Sequence, residues 1–590
     1  MGEKKKIVDK YFQVVPEILG FQFVSKAILL GGTWLIKAIA MWVITSTGRV
    51  ALTSGDFTFL FTTWQGWLLI ILGVGLLFHY TAFDLFTKMY YCDAVIKDKP
   101  ITLKEALKFD INGLKKILSI DGLFIVMYIA LIAPIVGGGI SLSLTSNLYV
   151  PTFVSSVIHA TPLYNILYTV ATIAFAVIGI LHIFSLHGAL FSDMTIMESR
   201  KQSDRLIKEN WKDFIKENIN FTLKLVVLFV AVVAVIRFIP IFILFKFNFE
   251  GEQGRFILLL IMFLATAIIS TLAMMITPFY LIKITTLYYK YRGEEDYVVD
   301  VREHKKHPVL LFWTLATVVL CVLLAFMSNK MFDRIFPAEV STGIISHRAG
   351  GNEGAENTVS GLKTAIELGA YGSEIDIQRT KDGYYIVNHD STFERLTGNK
   401  SKPEELTLAE VKALRIKTAD GKEEPVATFE EMLDASKGHI ILFVELKGAT
   451  ADKKMVDDAV RMIKERGMVD ETVLISLDYE LVNYAETNYP EMNTGFLSWA
   501  AYGNIAELNC DYLGLEGESA TSDFIDAIHK QGKLAMVWTP NEENEQKHFL
   551  ISTVDYIITD NVKQANSLIE KLAKRSDFER ILDVRLMRVS

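Results

Sequence analysis

Four short segments in the second half of the chain gather side chains suited to acid–base and metal chemistry. His347-Arg348 comes first, then Glu374 and Asp376, then His389-Asp390, then Glu445 and Lys447. Glu374 and Asp376 are two apart, as are Glu445 and Lys447, and on a β-strand residues so spaced project from the same face. Taken singly, each pair has an ordinary explanation: an exposed edge strand, a surface pair, a turn opener or a cross-strand ion pair. Their occurrence in four successive segments points to one shared site. Three carboxylates and an ammonium facing a common interior repel or stay unpaired unless something compensates them, and a divalent cation does so. Oxygen ligands without cysteine favour Ca²⁺ or Mg²⁺ over zinc.

The elements that must hold these groups follow from the pattern around them. From residue 343 onward, GIISH, SEIDIQ, YYIVNH, HIILFVEL, TVLISL, NTGFLS, YLGLEG, KLAMVW and DYIIT read as strands. Amphipathic helices are expected over 358–368, 453–465 and 522–530. Strand and helix alternating over roughly 240 residues predict an α/β TIM-type (β/α)8 barrel, whose reacting groups come from the C-terminal ends of several strands. Nine candidates exceed the eight such a barrel needs. Either the Lys381-Asp382-Gly383 turn closes a local hairpin, or one strand is misassigned.

The first half is of another kind. Of 590 residues, 51% are apolar, and long apolar runs fill the chain up to about residue 327. About 20 mostly apolar residues suffice to cross a bilayer as a helix. Runs near 23–45, 66–86, 118–144, 165–191, 221–245, 256–284 and 309–327 predict an all-α membrane domain of about seven spans. Lysines and arginines fill alternate loops: Lys4, Lys5 and Lys6 precede the first run, and Arg200, Lys201 and Arg205 follow the fourth. The intervening loops 146–163 and 248–254 hold no cation, and 48–62 holds only Arg49. The positive-inside rule then places the N-terminus in the cytoplasm and, after an odd number of spans, the second half outside it. The first apolar run is not closed by a small-residue cleavage site and is expected to stay as a membrane helix. Lys37, Asp84, His182, His187 and Arg237 fall inside spans, where such groups are expected to pair within the bundle or reach its edge. Gly137-Gly138-Gly139 suggests close helix packing. The expected division is a polytopic membrane domain over 1–330, a barrel over 341–575 and a tail over 576–590.

A net charge of −8 and the lack of a basic aromatic platform argue against a nucleic-acid partner. The three cysteines, Cys92, Cys321 and Cys510, are too far apart for a disulfide framework or a cysteine-rich zinc site.

HRAGGNEGAENT, GSEIDIQRTKDGYYIVNHD and VELKG, with LAMVWTPNEEN and VDYIITDN further on, resemble the glycerophosphodiester phosphodiesterase family. Its members usually read HRG, PENT, ExD, TxDG with HD, and ExK. The resemblance covers about residues 343–572, and an apolar half ahead of the catalytic domain is similar to the bacterial members that carry a membrane domain. Two positions depart from the pattern: Ala349 stands where the family has glycine, and Ala355 where it has proline. Neither change removes a reactive side chain. The resemblance implies a distorted TIM-type barrel that hydrolyses a glycerophosphodiester to glycerol 3-phosphate and an alcohol. It implies Glu374, Asp376 and Glu445 on the metal, His347 and His389 as acid–base pair, and Arg348 and Lys447 on phosphate. Glu356 and Asn357 would close the loop beside the metal. Tyr384, Phe496, Trp499 and Trp538 are candidates for an alcohol pocket, against the commoner reading of such aromatics as core. Lysophospholipid or the glycerol-phosphate chain of a teichoic acid would suit the same chemistry, and a non-catalytic polyol-phosphate binding or transport protein is the competing reading.

Overall fold

The structure, a computed structural model, describes residues 30–53, 57–97, 103–117, 161–192, 194–247, 251–294, 308–417, 423–499 and 502–587, with isolated positions near 20–28, 119–122 and 158. The chain forms two compact units. One comprises Met1–Ile39 with Leu68–Lys330, the other Ala40–Trp67 with Met331–Ser590.

The first unit is helical. Its course runs through α1 (Leu30–Ser46), which enters the second unit at Ala40, and then α2 (Trp64–Ile96), α3 (Leu103–Ile117), α4 (Pro162–Leu181), α5 (Ser185–Phe191), α6 (Ile196–Phe247), α7 (Gly251–Tyr291) and α8 (Pro308–Lys330). Among the described residues, four helical stretches are long and apolar enough to cross a membrane: Trp64–Ala94, Pro162–Phe191, Gly251–Tyr291 and Leu311–Lys330. They coincide with the second, fourth, sixth and seventh expected runs. The first run is described in part by α1, the fifth lies within α6, and the third, with its glycine triplet, lies outside the described residues. Two of the polar groups expected inside spans, Asp84 and His187, are paired in this unit. Lys88 Nζ meets Asp84 Oδ2 at 2.6 Å with both side chains buried. His187 Nε2 meets Thr285 Oγ1 at 3.0 Å, which ties α5 to α7.

In the second unit the apolar segments become strands, because each is short, rich in β-branched residues and bounded by turn residues. The barrel strands are β2 (Gly343–Ser346), β3 (Gly372–Arg379), β5 (Ile441–Leu446), β6 (Thr472–Ser476), β7 (Asn493–Ser498), β9 (Tyr512–Glu516), β10 (Leu534–Trp538) and β11 (Tyr556–Thr559). All neighbouring pairs are parallel, and β11 pairs with β2 while β2 pairs with β3, which closes the ring. The ninth expected strand is β4 (Tyr385–Val387), which runs antiparallel to β3 across the Lys381-Asp382-Gly383 turn and stays out of the ring. The third expected strand is therefore a hairpin arm and not a barrel strand. Gly383 takes φ +89° in that turn, a conformation that costs glycine least.

Ile345, Phe443, Val473, Ile475, Leu497, Tyr512, Met536 and Ile558 fill the barrel interior. Outer helices follow most strands, but among the described residues the β7–β9 connection holds no α-helix and has a short 3₁₀ turn, Ile505–Glu507. A two-residue strand from far upstream, β1 (Ala51–Leu52), pairs there with β8 (Tyr502–Gly503), and Ala51 packs with Ile505, Ala506 and Leu508. Residues 576–590, expected as a tail, contain the helix Asp577–Met587. Its Arg580 is buried and donates to the Phe336 carbonyl and, at 2.8 Å, to Asp333.

Candidate active site

β3 and β5 are hydrogen-bonded neighbours with Asp376 directly opposite Glu445, and Glu374 lies two residues back on the same face of β3. Glu374, Asp376 and Glu445 are all buried, and each offers a carboxylate oxygen within 4.8 Å of the others. The chain just past β5 brings in Lys447, whose Nζ lies 3.0 Å from Asp376 Oδ1 and 3.0 Å from Glu445 Oε2.

One ammonium cannot offset three buried carboxylates. Burial, reinforced by Asp376 and Glu445, pushes Glu374 well above the ordinary glutamate range. Burial likewise raises Glu445 to about 7 against the pull of Lys447. Burial also opposes ionisation of Asp376, but Lys447 and His389 outweigh it and hold its pKa below the usual carboxylate range. Lys447 is held above the usual lysine range, because the three carboxylates outweigh its own desolvation. Glu374 Oε1 is buried and has no hydrogen-bond partner, while Oε2 accepts the Arg348 backbone N–H at 2.8 Å. A cluster of hard oxygens with an unused acceptor and a charge deficit fits a divalent cation of the Mg²⁺ or Ca²⁺ type.

The two imidazoles flank this cluster. His347 follows β2, and its Nε2 lies 4.0 Å from Glu374 Oε2 while Nδ1 meets Asp560 Oδ1 at 2.7 Å. His389 arrives through the β3–β4 hairpin, and its Nδ1 meets Asp390 Oδ1 at 2.9 Å. Burial lowers its pKa, partly countered by Asp390. Two sequence models match this chain: the glycerophosphoryl diester phosphodiesterase family over residues 347–564, and the membrane domain of glycerophosphoryl diester phosphodiesterase over residues 4–328.

The chain belongs to the glycerophosphoryl diester phosphodiesterase family.

It is a phosphoric diester hydrolase with a membrane domain. A glycerophosphodiester phosphodiesterase of Caldanaerobacter subterraneus is 26% identical over 39% of this chain and 99% of its own length. One of Bacillus altitudinis is 25% identical over 39% of this chain and 99% of its own. Among solved structures, an Oleispira antarctica phosphodiesterase in complex with the product sn-glycerol-3-phosphate is 22% identical over 39% of this chain and 96% of its own, with a TM-score of 0.37.

The loop after the first barrel strand holds the two alanines that depart from the family pattern. Arg348, Ala349 and Asn357 adopt φ of +49°, +70° and +53°, so Ala349 takes the left-handed conformation that glycine would take without strain. The turn is pinned by the Ala349 N–H on the Glu374 carbonyl at 2.6 Å and the Asn357 N–H on the Arg348 carbonyl at 2.8 Å. Asn357 then donates from Nδ2 to Asp376 Oδ2 at 2.9 Å. Glu356 does not reach the acidic cluster; it accepts from Arg348 at 3.2 Å and from both terminal nitrogens of Arg395.

Three residues outside the expected set join the site. Arg395 bridges Glu356 to Asp390, donating from Nε to Asp390 Oδ2 at 2.7 Å. Asp560 orients His347 and is itself fixed by Asn541, which donates to its Oδ2 at 2.6 Å. Asp560 directly follows a strand, a position that marks it in a barrel of this kind. Arg395, in a four-residue helix, carries no such signal. Of the candidate alcohol-pocket aromatics, Trp538 ends β10, packs on the interior cluster and has a buried Nε1 without a hydrogen-bond partner. Phe496 is fully buried on the outer side of the barrel wall with Ile505 and Leu513, which removes it from any pocket. Tyr384 lies half-exposed beside the hairpin turn.

Proposed function

We propose that the barrel hydrolyses glycerophosphodiesters to glycerol 3-phosphate and an alcohol with the help of a divalent cation held by Glu374, Asp376 and Glu445. The observation that carries this reading is the convergence of three buried carboxylates between two imidazoles, each backed by its own aspartate. Bound Ca²⁺ or Mg²⁺ would supply Lewis-acid neutralisation of the anionic phosphoryl group. Arg348 grips phosphate oxygens with a guanidinium whose buried Nε has no hydrogen-bond partner, and Lys447 adds a point charge. Asp560 holds His347 with Nε2 toward the cluster, where it takes the proton of the attacking hydroxyl. That hydroxyl belongs to water, or to C2 of the glycerol, in which case a cyclic phosphate forms and water then opens it to glycerol 3-phosphate. His389, held at Nδ1 by Asp390, protonates the departing alcohol oxygen.

A binding protein without turnover needs no pair of aspartate-supported imidazoles, so the enzymatic reading is preferred. The membrane domain over 1–330 is read as multi-pass with a cytoplasmic N-terminus, and the barrel over 341–575 as extracytoplasmic. The β1–β8 pairing supports this, since the charge pattern places both the first inter-span loop and the barrel outside. The test is turnover of glycerophosphocholine by the purified full-length protein. His347→Ala and His389→Ala should each lower kcat by about 10²–10⁴-fold with the thermal transition retained. Near-normal hydrolysis by either variant would refute its assignment.

A further inference from the structure

The segment Ala40–Trp67 belongs to the barrel's compact unit although it is separated from it in sequence by more than 260 residues. It leaves one apolar helix, α1, and enters another, α2, long enough to cross a membrane. Between them, β1 lies antiparallel on β8, with Ala51 opposite Gly503, Leu52 opposite Tyr502, and the Asn504 N–H on the Val50 carbonyl at 3.1 Å. Ala51 and Leu52 are buried by this pairing. β8 begins four residues after Ser498, the last residue of β7. It therefore belongs to the loops at the C-terminal end of the strands, the end that carries His347, Glu445 and Lys447.

Four aromatic side chains of the segment are exposed. Trp42 is 65% exposed, Phe61 61%, Trp64 66% and Trp67 50%, and residues 57–72 contain no charged side chain. The Trp67 indole donates to the Phe61 carbonyl at 3.0 Å and their rings meet edge to face, so the group is ordered. Trp42 near the C-terminal end of α1 and Trp64 and Trp67 at the N-terminal end of α2 suit the bilayer–water interface, where an apolar ring with one polar edge is best placed. A rim that is pinned to the barrel by β-pairing and bears such tryptophans is suited to lie at lipid headgroup level.

We propose that the segment Ala40–Trp67 is a docking rim that presents the site to the lipid surface, and that its substrates include single-chain glycerophosphodiesters embedded there. This rests on the phosphodiesterase reading above. The bond broken is that between phosphorus and the head-group oxygen: hydroxyl oxygen from water ends on phosphorus, its proton goes to the leaving alcohol, and acylglycerol phosphate remains. A single-chain lipid can be lifted partly out of the surface, whereas its phosphate must still travel only the depth of the mouth.

The experiment uses the full-length protein in phosphatidylglycerol–phosphatidylethanolamine vesicles with two choline esters, soluble glycerophosphocholine and 1-acyl-lysophosphatidylcholine incorporated in the vesicles. Choline release is measured for the wild type, for Trp64→Ala/Trp67→Ala, and for Gly503→Val. At Gly503 φ is +115° and a Cβ would come 2.9 Å from the Ala51 Cα, so valine blocks the β1–β8 pairing. The expected result is that the wild type cleaves both esters. Each variant should keep glycerophosphocholine turnover within about twofold while losing at least tenfold on the lysolipid. If Gly503→Val loses both activities through misfolding, the exposed tryptophan pair decides. Cleavage of glycerophosphocholine but not the lysolipid by the wild type, or equal effects of the tryptophan variant on both esters, overturns the docking rim and leaves the phosphodiesterase reading standing. Cleavage of neither ester overturns that reading itself.

Discussion

At the scale of residues, the charge deficit of the acidic cluster has a consequence for pH. Glu374 and Glu445 are raised above their unfolded values, Glu445 to about 7. Such groups favour the folded state while they hold protons, fully below the unfolded value of about 4.3, and that favour is lost as pH rises through 7. A cation that replaces those protons should therefore stabilise the protein more at pH 8 than at pH 5. Thermal unfolding with and without Ca²⁺ or Mg²⁺ at the two pH values checks this, and an equal or larger shift at pH 5 would contradict it. The grouping of His347, Glu374, Asp376, His389 and Glu445 was legible because each sits in a short motif on or just past a strand. Asp560 has such a place too, but its partnership with His347, 213 residues away, was not legible, nor was that of Arg395 with Glu356, 39 residues away. Phe496 misleads for a related reason: alternation along a strand says that a residue faces one side, but only closure of the ring says which side is the mouth.

At the scale of elements, the hairpin that delivers His389 deserves a test of its own. β4 follows β3 through a tight turn, and the Asn388 N–H bonds the Asp376 carbonyl at 3.0 Å, so the hairpin ties the imidazole to the strand that carries two carboxylates. Nothing lies within 4 Å of a Cβ built on Gly383, so a larger residue there meets only the backbone penalty of its positive φ. Gly383→Val should lower stability by about 1–2 kcal/mol and reduce turnover more than it changes KM. Thermal unfolding and steady-state kinetics report both, and unchanged values would show that the turn does not position His389. The strands and their order could be read from apolar runs and turn residues. The β1–β8 pairing could not, because a two-residue strand leaves no periodic pattern.

At the scale of the whole molecule, topology is the testable property. Cys92, Cys321 and Cys510 are all buried, so a cysteine introduced at an exposed position reports alone. A membrane-impermeant maleimide added to intact cells should label Lys400→Cys on the barrel and spare Lys208→Cys until the cells are permeabilised. Labelling of Lys208→Cys alone would invert the assigned orientation. The membrane half was legible from run length, and the pairing of Asp84 with Lys88 follows from their spacing of four on one helix, whereas that of His187 with Thr285 depends on how two helices turn toward one another. Phosphodiester hydrolysis by this barrel depends on three carboxylates holding a cation. The most direct measurement is glycerophosphocholine turnover by the full-length protein after chelation and after Ca²⁺ or Mg²⁺ is returned. Chelation should abolish turnover, and one of the two ions should restore it in the wild type but not in Glu374→Ala. Turnover that persists undiminished in chelator would contradict the account.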